Sequence, residues 1–532
     1  WEAGFLKNFY PMPLHSERVA IVGGGCTGTT CFWALQHSAH DVHLFEASAS
    51  LGGRIKSLPL EHNGKEVGVD TESPSFNAEA SPNLVSLLRF LGISASAVPF
   101  SFGVSNGIDT YDWCGSVLNS LLLHPWMLCS LGTFRLLLDI IWFNYLAMDV
   151  LIEKRRSHDR TNVQQSLSTH EFLSKEGYSK SLCDQYLAPL VSTLWGTNVG
   201  RLLPQFPVKT LIRSLCDHQL FGTRRTTPDF RRIDGGTSHV LQAMARGFSP
   251  ENVHLNTSVR EIVRMGKKQY GLLIADGREL RFDHIIFAVD NDEILKMLGS
   301  NIDTETEIIQ GLKTTNNIAV LHSDPFLAPN INGSWPTSNY TLDPTDYTQH
   351  EPSAWAPRKS SLTYNVSSLQ DIPTCLFDQL YITLNPFTPP HPRFAHSIWE
   401  YTDLELSTAT LQAQSRLPLI QNRRGLSYGF RWTGRGFLED AVTSGLEIAV
   451  EHFGAQVPFE VQYHPDPLCS STSPSIELGF RDHLVRTALC LARVYVLVFQ
   501  ISWILLGALG FPVSRVETML KWMLGGDGML KS

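Results

Sequence analysis

The run Val19 to Leu35, VAIVGGGCTGTTCFWAL, constrains this chain more than any other stretch. Arg18 to Val22 reads as a buried strand, Thr27 to Gln36 has helix-compatible spacing, and DVHLFEA from Asp41 reads as a second strand. Strand, glycine turn, helix, strand is a βαβ unit, which calls for an α/β fold with a parallel sheet. Gly23, Gly25 and Gly28 fill a G-x-G-x-x-G pattern at the turn. The first permits the tight turn, the second lets the backbone approach a pyrophosphate, and the third lets the helix lie close to the strand. The helix start then offers N–H groups and a positive dipole end to an anion. Glu46, ending the second strand, stands where a carboxylate accepts from a ribose diol.

The next residues bear on which dinucleotide is held. EASASLGGRIKS places Gly52-Gly53-Arg54 just beyond Glu46. A second glycine pair followed by arginine suits a cofactor whose pyrophosphate extends past the first loop, with charge-assisted contacts from Arg54. A simple nicotinamide site has no need of it, so the reading is FAD.

The totals exclude several classes. At 532 residues the chain has room for about three domains of ~150 residues. A hydrophobic share of 43% against 18% charged fits a globular protein. A net charge of -8 without a long basic run argues against nucleic acid as a partner. The nine cysteines form no CxxC, which argues for reduced, mostly buried thiols over a disulfide framework or a zinc site. His322 and Asp324 in LHSD read as a strand-end feature, so no metal is expected. The sequons at Asn256, Asn332, Asn339 and Asn365 read as chance, and the first eighteen residues lack the pattern of a signal peptide. No Ser/His/Asp triad can be argued from spacing, and no catalytic residue is assigned.

Farther along, residues 118–152 are strongly apolar, broken by Pro125, Arg135 and Asp139, and read as amphipathic helices. QYGLLIADGREL reads as a hairpin with Ala275 to Arg278 at its turn, and 311–386 as pieces of an antiparallel sheet. Residues 454–475 have linker composition. The uncharged run Val494 to Phe511 just reaches the length of a membrane-span candidate, ~18 residues. Arginines at 481, 486 and 493 precede it; Arg515 and Lys521 follow. The alternative is a helix docked on the apolar 118–152 region.

VGGGCTGTTCFWALQHSAHDVHLFEASASLGGR resembles the FAD-binding start of the amine oxidase and phytoene desaturase superfamily. VDTESPSFNAEASPNLVSLLRFLGI, PFSFGVSNG, LVSTLWG, RRIDGGTSHV, NNIAVLHSD, WPTSNY, LTYNVSSLQ, TLNP and RGFLEDAVTSGLEIA follow in order. Together they are similar to a branch of FAD/NAD-binding flavoproteins related to the oxidase-like domain of plant cyclopropane fatty acid synthases. The similarity runs from about Arg18 to Phe453.

The resemblance implies a Rossmann-like, glutathione reductase-like FAD domain interleaved with an α+β substrate domain, followed by a C-terminal apolar helix. FAD-binding parts are expected at 16–110, 226–300 and 421–455, and substrate-domain parts at 111–225 (helical) and 301–420 (sheet). A linker at 456–480 and a C-terminal segment at 481–532 complete the expected order. By motif match Gly23, Gly25, Gly28, Glu46, Gly53 and Arg54 would hold the adenosine diphosphate of FAD, and Val259 would meet the adenine through its backbone. Gly436, Glu439 and Asp440 would lie where the last helix points its N-terminus at the flavin. The chain departs from the relatives at Glu72, where they have glycine, at Lys313, Thr314 and Thr315, and at Ala441. Lys313 is weighed as a base near the flavin, and Trp335, Tyr340, Tyr364 and Trp432 as cavity walls or core.

The implied activity is FAD-dependent hydride transfer from a small hydrophobic, lipid- or isoprenoid-like substrate, with oxygen or another acceptor reoxidising the flavin. Amine or polyamine oxidation, and a degenerate membrane-associated flavoprotein, stand as alternatives. Membrane contact through 118–152 and 494–511, and an intracellular, membrane-associated location, complete the expectations.

Overall fold

Strand β1 (Arg18–Val22) and the helix after it, α1 (Cys26–Leu35), are almost entirely buried. A parallel strand covered on both faces has no solvent side, so β1 reads as an unbroken apolar run instead of alternating. The computed structural model describes residues 16–62, 64–71, 75–105, 110–113, 131–152, 167–197, 203–221, 228–266, 269–299, 304–327, 336–343, 359–405, 407–463 and 480–509. Glu72 and Trp335 lie outside them.

The chain divides into two units, each drawn from three separated pieces. The first takes 1–97, 231–315 and 409–467; the second takes 98–230, 316–408 and 468–532. In the first unit β1 pairs in parallel with β2 (Asp41–Phe45) on one side and His284–Phe287 on the other. Val253–His254 and Leu426–Tyr428 extend the sheet to five strands, all parallel. The strands thus come from all three pieces, which is why the fold needs each of them. The turn Ala275 to Arg278 joins two antiparallel strands, Tyr270–Ile274 and Glu279–Phe282, with Gly277 at φ +89.

The βαβ packing depends on one missing side chain. A Cβ on Gly28 would lie 1.9 Å from the Gly23 carbonyl oxygen and 3.1 Å from the Ala288 side chain. The first neighbour is backbone and cannot move without opening the turn. Gly28→Val is therefore expected to cost at least the ~1–3 kcal/mol typical of overpacking. Denaturant unfolding and released-flavin assay would show a destabilised protein without FAD. A variant as stable and as yellow as wild type would sink this account.

Two buried carboxylates hold helix starts from outside. Asp70 accepts from the Thr237 backbone N–H (2.7 Å), the Thr237 hydroxyl (3.1 Å) and the Ser57 hydroxyl (2.5 Å). It thereby caps the helix Thr237–Ala245, whose own N-cap, Gly236, has no side chain to do so. A Cβ on Gly236 would meet the Asp70 carboxylate at 2.8 Å, which explains the second glycine of RRIDGGTSHV. The second carboxylate, Glu439, is described with the cofactor site. The sequence stretch read as the start of a linker behaves differently from that expectation. Val457, Phe459 and Val461 pack against the core of this unit, with the Phe459 ring stacked on Trp33 at 6.4 Å.

The second unit centres on a seven-stranded sheet in the order Ala395–Leu404, Thr314–His322, Tyr381–Leu384, Ser360–Asn365, Ser338–Leu342, Phe102–Ser105, Thr110–Trp113. The sheet is mixed, because Ser338–Leu342 runs parallel to Phe102–Ser105. Tyr340 and Tyr364 are buried core residues, as is Trp432 in the first unit. Asn339 and Asn365 are buried within strands, which closes both sequons to modification in the folded chain. His322 is buried; its ring nitrogens meet the Thr383 hydroxyl (2.8 Å) and the Asp324 N–H (3.2 Å). Burial pushes its pKa down to about 4, so the ring is a neutral strand-end anchor.

Residues 131–152 of the apolar stretch form the helices Leu131–Leu146 and Asp149–Ile152; residues 118–130 lie outside the described set. A single helix, Phe480–Ala508, covers most of the second apolar run. Among the described residues no helix is long and apolar enough to cross a membrane, so the span considered for 494–511 finds no support there.

Candidate cofactor site

Residues that follow the C-terminal ends of four parallel strands converge on one cavity of about 290 Å³. After β1 come Gly23, Gly25, Cys26 and Thr27; at and beyond the end of β2 come Glu46, Gly52, Gly53, Arg54 and Ile55. Ala288, Val289, Asp290 and Glu293 follow His284–Phe287, while Phe430, Arg431, Phe437, Leu438 and Ala441 follow Leu426–Tyr428. Cavities outside the carboxyl ends of parallel strands are where open α/β sheets bind ligands.

The two glycine turns are tied together. Gly52 N–H donates to the Gly24 carbonyl (2.8 Å), and Gly25 and Gly52 form an isolated parallel bridge. Arg54 is set at the cavity by this pairing. The start of α1 faces the same space with no side-chain cap and no acidic residue in its first turn. Within the helix the Thr29 N–H donates to the Gly25 carbonyl (2.9 Å).

Glu46 is buried and lines the cavity. Its Oε2 accepts from Gly24 N–H (2.7 Å) and its Oε1 from Ser48 N–H (2.8 Å). A carboxylate offers about four acceptor positions, so this geometry fixes the group and leaves acceptor capacity for a diol. Arg431 was not singled out from the sequence. Its Nε donates to the Gly436 carbonyl (2.6 Å) and its guanidinium lies 4.7 Å from the Trp432 ring centroid. Asp290 and Glu293 were missed as well. Their only signal was position, directly after an apolar strand in FAVDNDE.

Of the expected cofactor residues, Gly23, Gly25, Glu46, Gly53 and Arg54 line the cavity. Gly28, Val259, Gly436, Glu439 and Asp440 are not among the lining residues. Gly28 serves helix packing, and Val259 begins the strand Val259–Arg264. Asp440 accepts the Phe437 N–H (2.8 Å) at the start of its own helix, Leu438–Glu447. Glu439 is turned elsewhere. Its Oε1 accepts Asn83 N–H (3.0 Å) and its Oε2 accepts Leu84 N–H (2.7 Å), capping α2 (Pro82–Leu91). Lys313 is exposed and is not among the lining residues. Among the described residues no cluster of three or more His, Cys, Asp or Glu side chains is placed to hold a metal ion.

The sequence profile of the family described as flavin containing amine oxidoreductase matches residues 27–353, more than half of the chain. The chain belongs to this family. As a family member it is an FAD-dependent oxidoreductase. No curated protein sequence matches it. Solved structures show the same fold. The CLA-producing fatty acid isomerase of P. acnes superposes with a TM-score of 0.54 at 13% identity, covering 82% of this chain and 99% of that one. Cyclohexylamine oxidase of Brevibacterium oxydans gives 0.53 at 15% identity, covering 82% and 99%. A variant of putrescine oxidase gives 0.51 at 12%, covering 84% and 100%.

The residues present fit the family's cofactor. An uncapped helix start, two arginines and two joined glycine turns suit a pyrophosphate, and a pinned carboxylate with spare acceptors suits a ribose. Gly25, Gly53, Arg54 and Arg431 would hold the diphosphate, and Glu46 the ribose. Phe437 and Leu438, at the start of the last helix, also wall the cavity. Ala441 lines the same cavity.

Proposed function

We propose that this flavin oxidoreductase oxidises a hydrophobic, lipid- or isoprenoid-like substrate. Bound FAD supplies the hydride acceptor; the chain's residues hold the cofactor, orient the substrate and exclude water. The observation that carries the substrate class is the state of the buried carboxylates in the second unit. Among the described residues these are Asp139, Asp324 and Asp403. Asp139 accepts from Arg135 Nε (3.0 Å) and Ser179 N–H (2.8 Å). Asp324 accepts from Phe326 (3.0 Å) and His391 (2.8 Å) N–H groups, and Asp403 faces the Asn317 amide (3.4 Å). All three serve internal donors, whereas binding a cationic amine favours a carboxylate free to pair with it.

The test is anaerobic bleaching of the flavin band. The purified protein is expected to be yellow and to release FAD on denaturation. Unsaturated fatty acids or isoprenoids are expected to bleach it, and putrescine or spermidine to leave it unchanged. Bleaching by amines, with hydrogen peroxide formed on admitting oxygen, would establish the amine reading instead.

A further inference from the structure

We propose that Thr71 is a positioning residue for the FAD diphosphate, acting through Arg54. This role rests on the assignment of Arg54 to that group. The Thr71 hydroxyl lies 3.1 Å from the Arg54 carbonyl and 3.0 Å from the Lys56 carbonyl. The Lys56 carbonyl already accepts the Thr71 backbone N–H (2.9 Å). What the hydroxyl adds is therefore a tether on Arg54, which lines the cavity.

The turn around Arg54 decides what that tether fixes. Gly52 to Ile55 is a tight turn, closed by the Ile55 N–H on the Gly52 carbonyl (3.0 Å), with Gly52 and Gly53 at φ +145 and +57. The peptide unit joining Arg54 to Ile55 carries that N–H at one end and the Arg54 carbonyl at the other. It is held at both ends, by Gly52 and by Thr71. A planar unit fixed twice also fixes ψ of Arg54, and with it the direction from which the arginine side chain leaves the backbone. Ile55 is buried and lines the same cavity, so the unit is packed as well as bonded.

Thr71 is itself firmly seated. It follows the strand Lys65–Asp70, which pairs antiparallel with Ser57–His62. Its neighbour Asp70 is buried and accepts from the Ser57 hydroxyl and from the N–H and hydroxyl of Thr237. The Ser57 hydroxyl also meets that of Ser238 (2.8 Å), so the anchor reaches the helix Thr237–Ala245. On the cavity side the Gly52 N–H ties the turn to Gly24. The arginine backbone is thus set before a ligand arrives, and less of its freedom is lost on binding. The Thr71 backbone bond to Lys56 uses no side-chain atom, so the work of the hydroxyl is separable from that of the hairpin.

The experiment is titration of the full chain, stripped of its flavin, with FAD, followed by flavin fluorescence. Thr71→Val keeps the backbone bond and the shape of the side chain but removes the hydroxyl. It is expected to weaken FAD binding roughly 3- to 10-fold, the worth of one neutral hydrogen bond. Thr71→Ala is expected to match it, and Thr71→Ser, which keeps the hydroxyl, to bind as wild type does. In an Arg54→Ala background Thr71→Val is expected to weaken binding no further, because residues that act through one contact are not additive. A merely structural hydroxyl would lower affinity by the same factor in both backgrounds. Wild-type affinity in Thr71→Val beside a weakened Arg54→Ala overturns the positioning role, as does an undiminished loss in the double variant. Wild-type affinity in Arg54→Ala removes the arginine from the diphosphate, and the role of Thr71 with it.

Discussion

Replacing Arg54 and Arg431 together by alanine is expected to give a folded, colourless protein. Both residues line the cavity that the α1 N-terminus faces. A hydrogen bond to a charged group contributes about 1.5–3 kcal/mol, so each single variant is expected to weaken FAD binding about 10- to 100-fold. Arg431 is preorganised, since Nε is fixed on the Gly436 carbonyl and the plane is held beside Trp432. Less side-chain freedom remains for it to lose on binding. Arg431→Lys keeps the charge but lacks the fork and the stacking plane, and is expected to fall between wild type and alanine. Titration of the apoprotein with FAD, followed by flavin fluorescence, reads each of these proteins. Wild-type affinity in both single variants would remove the arginines from the diphosphate site.

Glu439→Ala is expected to damage the fold more than the cofactor site. The Glu439 carboxylate caps α2 by accepting the Asn83 and Leu84 N–H groups, while Ser81, the residue at the cap position, makes no side-chain cap bond. Asn83 in turn bonds the Thr443 hydroxyl (2.8 Å) and exchanges two bonds with Gln462, tying the tail to the same corner. Removal leaves two buried donors unmet, an expected cost of about 2–4 kcal/mol. The variant should still bind FAD, because Glu439 is not a lining residue.

The same carboxyl makes this cost depend on pH. Burial pushes its pKa up to about 7, against the N–H groups of Leu84 and Asn83, which pull it down. A group with a raised folded-state pKa contributes fully below its unfolded value, 4.5, and its contribution is lost as pH rises through about 7. The stability gap between wild type and Glu439→Ala should therefore be wider at pH 5 than at pH 8. Glu439→Gln, which does not titrate, should remove that slope. Denaturant unfolding at both pH values measures it; a gap that widens with pH would show that the donors outweigh burial.

The local order of apolar, glycine and acidic residues was enough to determine the βαβ unit, the glycine turn and the Asp276-Gly277 hairpin, because each is set by neighbours within a few tens of residues. Motif match also located Gly23, Gly25, Glu46, Gly53 and Arg54, which sit on the two turns that follow β1 and β2. What a motif residue does is a different question. Asp70 and Glu439 belong to recognisable stretches, yet each commits its carboxylate to the start of a helix 167 or 355 residues away in the chain. Arg431, Asp290 and Glu293 reach the cavity only because His284–Phe287 and Leu426–Tyr428 join the sheet of β1 in parallel. No local spacing encodes that register. Tertiary pairing decides it: parallel strands hydrogen-bond both edges of β1, helices cover its faces, and four strand ends come to one place.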